Sequence, residues 1–251
     1  MKEKLNTVCD IAEQMLKSGA EVHRVEDTLL RMCNAIGALR SDVFIITSSI
    51  VVTVYTENER AYTQTRRITS TGTDIEKLHS LNNLSRRICS EEWEISEIRD
   101  EFNRIMEQKG YPEWLNLLAY GLIGGSFTVF FGGDLFEALC SVAVGFVIWG
   151  LNFLGEKLGM GKIFCRFVCS FFATALAFLF LKIGVIPTVD YVIIGNIMVL
   201  IPGIGLTNAL RDLFVGDSIA GLLRFIEAVL IALGIAAGHF LFITLFGGAL
   251  I

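Results

Sequence analysis

The sequence predicts an α+β cytoplasmic head of residues 1–112, with element order ααβββαα, followed by an all-α membrane domain of five transmembrane helices over residues 113–251. Two observations favour this division. Residues 1–113 carry 34 of the 47 charged side chains but only 4 of the 24 glycines. Beyond them, apolar runs reach about 20 residues, the length that a helix needs to cross a bilayer.

The head begins with two helices predicted from the helical spacing of apolar side chains. Gly19 and Gly37 stand where a glycine ends a helix. Three runs rich in β-branched and aromatic residues then predict three strands. Thr73, with Glu76 three residues later, predicts a capping box that starts a third helix, and a fourth helix is expected over 93–109.

The membrane domain is predicted from five hydrophobic segments, at about 114–132, 135–154, 163–182, 187–206 and 222–246. The basic side chains between the segments lie mostly on one side of the predicted membrane, namely Lys157, Lys162, Arg166 and Arg211. The positive-inside rule puts that side in the cytoplasm together with the head. With five spans, the C-terminus then lies outside.

Composition excludes several classes of function. The formal net charge is −5, and no basic stripe interleaved with aromatic residues indicates nucleic acid binding. The six cysteines contain no CxxC pair, and Cys and His do not cluster as a zinc site requires. We therefore expect no metal, no cofactor and no nucleic acid partner.

The candidate binding residues begin at a predicted break in the fourth membrane helix. Pro202, followed by glycine, interrupts the helix and frees backbone groups, which transporters use to hold small ions and carboxylates. Thr207, Asn208 and Asp212 would line that break. The alternative is a cytosolic loop in which these side chains have no role in binding.

Three polar residues inside the predicted membrane helices are further candidates. Arg224 and Glu227, three residues apart, can pair within the membrane, or Arg224 can reach the cytosolic surface. Asn196 lies in the middle of a helix, where an amide either joins two helices or contacts substrate.

The start of the second head helix holds another group of ionisable side chains. The spacings of Glu21 with Arg24 and of His23 with Asp27 permit local pairs on a solvated face. Beside Ser18, the same group suggests a hydrolase. The serine lies at a helix end rather than on a strained turn, so no catalytic residue is assigned.

Four segments, in this order along the chain, resemble the threonine/serine exporter family: SGAEVHRVEDTL, TRRI, GGSFTVFFGGD and IPGIGLTNALRDLFVGD. The resemblance implies a multi-pass protein of the bacterial plasma membrane that exports small hydrophilic metabolites and is driven by the proton gradient. Family members join a head to about ten spans, in one chain or in two. This chain is similar to the larger subunit of the split type, which includes succinate exporters.

The resemblance also implies a partner, a small membrane protein of four or five spans that supplies the second half. The resulting assembly would be a homo- or hetero-oligomer surrounded by lipid. Threonine, serine and dicarboxylates are the implied substrates. Two alternatives stay open from the residues themselves: a membrane-tethered hydrolase, and a ligand-sensing head that gates the membrane domain.

Overall fold

The computed structural model describes residues 1–58, 60–91, 93–108 and 110–247. Within these residues the chain forms ten α-helices, one three-stranded sheet and a short π-helix. The chain divides into two compact units. We call residues 1–109 with 204–225 the head unit, and residues 110–203 with 226–251 the bundle unit.

The head unit starts with seven elements in the predicted order ααβββαα. They are α1 (Lys2–Lys17), α2 (Val22–Ala35), β1 (Arg40–Ile46), β2 (Ser49–Tyr55), β3 (Ala61–Arg67), α3 (Ile75–Ser90) and α4 (Ile95–Glu107). Gly19 and Gly37 follow the first two helices with φ of +94° and +93°, so both predicted helix ends are confirmed. Residue 109, the predicted end of the fourth helix, lies outside the described residues.

One detail of the third helix differs from the prediction. Its N-cap is Asp74, whose carboxylate accepts a hydrogen bond of 2.9 Å from the backbone N–H of Lys77. The predicted capping box at Thr73 is therefore wrong by one residue. Thr and Asp both cap helices well, and local sequence alone does not choose between neighbours.

The sheet is antiparallel, in the order β1-β2-β3, and its central strand faces the head core. Ile50, Val52 and Val54 alternate along β2 and are fully buried. They join the apolar faces of α1 and α2, including Leu5 and Leu29. Alternation along the strand and helical spacing along the helices thus build one common core.

The remaining helices are α5 (Glu113–Phe130), α6 (Leu135–Lys157), α7 (Lys162–Lys182), α8 (Asp190–Leu200), α9 (Gly203–Val215) and α10 (Ser218–Phe242). A π-helical turn, Ile243–Gly247, follows α10. In the described part of the chain, α6, α7 and α10 are long and apolar enough to cross a membrane. The number of possible spans rises from three to four if the broken pair α8 and α9 is treated as one span.

The five-span layout is not confirmed by these lengths. The first predicted span corresponds to α5, which has 18 residues and carries Glu113 in its first turn, and it is not among the helices that pass. The break predicted in the fourth segment is present, because α8 ends at Leu200 and α9 begins at Gly203. The last four residues of the chain lie outside the described residues.

Candidate functional site

Within the head unit, side chains of α9 and of the first turns of α10 hold the loop between α1 and α2. The Asn208 amide donates a hydrogen bond of 3.2 Å to the carbonyl of Gly19. Arg224 Nη2 donates one of 2.7 Å to the carbonyl of Ala20. Arg211 Nη1 lies 2.5 Å from Glu21 Oε1. Two of the predicted binding residues, Asn208 and Arg224, therefore contact the head's own backbone.

A buried ion pair lies beside this loop. Arg224 Nη1 is 3.4 Å from Asp212 Oδ2, and the two side chains are 13% and 1% exposed. Glu21 and Asp217 add further negative charge near Asp212. A carboxylate this deeply buried requires a cation beside it, because leaving water is costly for an isolated charge.

The pairing of Arg224 with Glu227 that the spacing allowed is wrong. Glu227 belongs to the bundle unit, where its carboxylate lies 3.4 Å from Lys162 Nζ. Both of these side chains are about half exposed. Thr207, the remaining candidate on α9, is exposed.

The ionisable cluster of α2 is arranged differently from its expected local pairs. Asp27 pairs with Arg31 at 3.0 Å, one helical turn away, and Glu21 pairs with Arg211. His23 and Arg24 are exposed. His23 and Arg24 therefore lie on a solvated face, which is one of the two interpretations of this cluster. Glu21 instead forms an ion pair with Arg211 of α9.

Glu26 is the residue of α2 whose titration is perturbed. Partial burial raises the pKa of its carboxyl above the usual value of 4.5, and the nearby Asp217 raises it further. His23 acts in the opposite direction. Folding therefore makes the carboxyl of Glu26 easier to protonate than it is in the unfolded chain.

The bundle unit contains a polar cluster made by Thr128 of α5, Ser141 of α6 and Asn196 of α8, all with 0% exposure. The hydroxyl oxygens of Thr128 and Ser141 are 2.5 Å apart. The Asn196 amide donates to Ser141 Oγ at 3.0 Å and to the carbonyl of Val192 at 2.9 Å. We call these three side chains the Thr128–Ser141–Asn196 cluster.

Asn196 was a predicted candidate, whereas Thr128 and Ser141 were missed. Single hydroxyls in apolar helices are common, because they bond to the carbonyl one turn earlier, as Thr128 does to Gly124. A sequence pattern that could have identified them is a glycine that lies one helical turn from a polar residue or next to one in the sequence. Gly124 lies against the Asn196 side chain, and Gly195 lies against Thr128.

A carboxylate lies one turn before Ser141 on α6. Glu137 is 2% exposed and forms a capping box with Asp134. Its Oε1 accepts a hydrogen bond of 3.0 Å from the hydroxyl of Thr188. The charge nearest to the cluster along α6 is therefore negative. No group of three or more potential metal ligands occurs among the described residues.

Apolar helices of membrane-spanning length that carry buried polar groups are typical of membrane proteins, and buried polar groups at such depth favour a transport function. Residues 6–246 match a family described as "Putative threonine/serine exporter". The chain belongs to this threonine/serine exporter family. No solved structure matches it.

Curated relatives come in two lengths. The chain is 26% identical to a "Probable succinate transporter subunit" of Klebsiella aerogenes, over 93% of this chain and 90% of the relative. It is 27% identical to a "Threonine/serine exporter" of Corynebacterium glutamicum, over 93% of this chain but 49% of the relative. A probable threonine/serine exporter of Mycobacterium tuberculosis gives 25% identity over 94% of this chain and 45% of the relative. The chain thus spans about half the length of the two exporters.

The family and the names of its members indicate a transporter and not an enzyme. The hydrolase interpretation of the head is therefore wrong. Its proposed serine, Ser18, is 4% exposed, and Asp27 is paired with Arg31. Ser18 instead has a structural position in the connection between α1 and α2, where its backbone carbonyl accepts a hydrogen bond of 3.0 Å from the backbone N–H of Asp74.

Proposed function

We propose that this chain is the larger half of a two-chain exporter that moves small hydrophilic metabolites out of the bacterial cytoplasm. The observation that carries the proposal is the length relation among its relatives. The chain covers 90% of a protein named as a transporter subunit and 49% of one named as an exporter. The missing half would be a separate membrane protein of four or five spans, and threonine, serine or a dicarboxylate such as succinate would be the cargo.

In this proposal the head of residues 1–112 lies in the cytoplasm and residues 113–251 form the membrane domain with five spans. The basic loops at Lys157 and Lys162 then face the cytoplasm, as the positive-inside rule requires. The proton gradient would drive export. Asp212 is the proposed proton carrier, because protonation of its buried carboxylate would cancel the ion pair with Arg224 and thereby release the arginine.

The test is efflux of preloaded labelled threonine, serine and succinate from cells that express the chain, with and without the neighbouring small membrane protein. We expect efflux only when both are present. Asp212→Asn and Glu227→Gln should abolish it while the protein still inserts, and Asp212→Glu is the matched control. Normal efflux by both neutral variants would remove these residues from the mechanism, whereas no efflux by the wild-type pair would overturn the exporter itself.

A second role, ligand-controlled gating by the head, is favoured by the contacts of Asn208, Arg211 and Arg224 with the loop at Gly19–Glu21. A ligand that changes this loop would act on α9 and on the start of α10 directly. Exchanging the charges in the double variant Glu21→Arg, Arg211→Glu should restore activity that each single variant loses. Full activity of both single variants would argue against gating through this contact.

A further inference from the structure

We propose that the Thr128–Ser141–Asn196 cluster is a subsite for the α-ammonium group of a zwitterionic amino acid. The inference rests on the proposed export function and adds a specific site and a chemical class of ligand to it. Thr128 and Ser141 are not among the residues that the sequence suggested. The three side chains come from three different helices, α5, α6 and α8, so a ligand between them would respond to movement of those helices.

The first argument is an unpartnered acceptor. Asn196 Oδ1 is buried and has no hydrogen-bond partner among the described residues. The orientation of the amide is fixed by its neighbour, because the carbonyl of Val192 accepts hydrogen bonds only and must therefore face the NH₂ group. A buried acceptor without a donor costs folding free energy, so a ligand that donates a hydrogen bond to this oxygen would be favoured.

The second argument is the excess of acceptors over hydrogens in the cluster. Two hydroxyls and one amide supply about four polar hydrogens in total. Around them lie their own oxygens and the carbonyls of Gly124, Tyr191 and Val192, all within 3.5 Å of a cluster donor. An ammonium group brings three N–H donors and no acceptor, and it would therefore complement the cluster.

The third argument is charge. Glu137 lies one turn from Ser141 on α6 and is buried. The lysines and arginines of the bundle unit are exposed or half-buried, and none is buried. A dicarboxylate at this position would meet a negative charge and an acceptor-rich surface with no cation. An ammonium group would meet the unpartnered Asn196 Oδ1 and the two hydroxyl oxygens, with the carboxylate of Glu137 one turn away on α6.

The cluster is closed in this structure. A Cβ atom added at Gly124 would lie 2.8 Å from Asn196 Oδ1, so the backbone of α5 packs directly on the amide. The ammonium group would enter when α5 and α8 separate and would replace the contacts between the hydroxyls. The small residues at this contact allow α5 and α8 to approach each other closely.

The test is ligand binding to the purified full-length chain, alone and co-purified with the neighbouring small membrane protein. The probes are L-threonine, its deaminated analogue 3-hydroxybutyrate, and succinate, each in KCl and in NaCl. Of the three probes, only L-threonine is expected to raise the unfolding temperature of the chain. Ser141→Ala and Asn196→Leu should weaken threonine binding by roughly tenfold or more, the effect of losing one hydrogen bond to a charged group.

The matched control is Thr174→Val on α7, which removes a buried threonine hydroxyl outside the cluster. It should leave threonine binding unchanged, whereas Thr128→Val should weaken it. Equal losses in Thr128→Val and Thr174→Val would show that the hydroxyls only pack helices and would overturn the subsite. Stabilisation by 3-hydroxybutyrate or succinate equal to that by threonine, or no stabilisation by threonine in either preparation, would overturn it as well.

Two further outcomes separate this inference from the proposed function. Stabilisation by NaCl over KCl that Ser141→Ala removes, without any effect of threonine, would make the cluster a sodium site and overturn the ammonium assignment. Efflux of succinate but not threonine by the wild-type pair would leave the exporter standing and overturn the subsite. Absence of all efflux, together with threonine binding that depends on Ser141, would uphold the subsite and overturn export.

Discussion

A close helix contact in the bundle unit that can be tested by a single methyl group lies between α5 and α6. A Cβ atom added at Gly145 would come 2.6 Å from the carbonyl oxygen of Tyr120 and 2.8 Å from Gly121 Cα. Optimal separations between such atoms are about 3.5–4.0 Å, so Gly145→Ala requires the two backbones to part by roughly 1 Å. The obstructing atoms are backbone, and no side chain can turn away to make room.

The expected magnitude follows from two opposing effects. Overpacking of a tight contact costs about 1–3 kcal/mol, whereas replacing glycine by alanine inside a helix gains about 1 kcal/mol. Gly150→Ala on the same helix is the matched control, because nothing lies within 4 Å of its added Cβ. It should be neutral or stabilising. The difference between the two variants isolates the overpacking cost of about 1–3 kcal/mol.

The assay is thermal unfolding of the full-length chain in detergent, with both variants measured beside the wild type. For a chain of this size each kcal/mol shifts the midpoint by about 2–4 °C, so the two variants should differ by roughly 2–12 °C. Equal midpoints, or a higher midpoint for Gly145→Ala, would refute the close approach of α5 and α6. That result would also weaken the ammonium subsite, because Ser141 lies one turn before Gly145 on the same face of α6.

Three more predictions concern the head unit. Glu26→Gln should raise its stability at neutral pH, because the folded state raises the pKa of this carboxyl and so favours its neutral form. This stability gain should disappear as the pH falls below 4.5, the usual pKa of the carboxyl, because Glu26 is then neutral in both the folded and the unfolded chain. Cys89 is the exposed cysteine of the six, so a membrane-impermeant maleimide should label it from the cytoplasmic side only. Arg224→Ala should destabilise the chain by about 3 kcal/mol, because it leaves the 1%-exposed Asp212 without its cation.

Each of these predictions has its own control. A stability gain from Glu26→Gln that persists unchanged at pH 4 would contradict the pH argument. Labelling of intact cells that disappears in Cys89→Ser would place the head outside. For the ion pair, the double variant Arg224→Met, Asp212→Leu should recover much of the stability lost by Arg224→Ala, and denaturation curves that show additive losses would contradict the pairing.

The head could be predicted from sequence because its signals are local. Gly19 and Gly37 end helices through their own backbone conformation, and alternation along β2 assigns its buried face. The polar contacts could not be predicted in the same way. Spacing within one helix suggested Arg224 with Glu227, but the pairs that form join α9 to α10 and α7 to α10. Spacing along one helix does not show which residues of other helices lie close in space.

The predicted binding residues fall into two groups with different chemistry. Asn208 and Arg224 donate to backbone carbonyls of the α1–α2 loop, and Asp212 pairs with Arg224. A metabolite that used these donors would first have to displace the loop, so this group suits coupling better than binding. Asn196 has a buried acceptor without a donor and lies beside the hydroxyls of Thr128 and Ser141, all of them uncharged groups. We therefore propose that a polar substrate binds in the bundle unit and that a proton acts on the ion pair of Asp212 with Arg224 in the head unit.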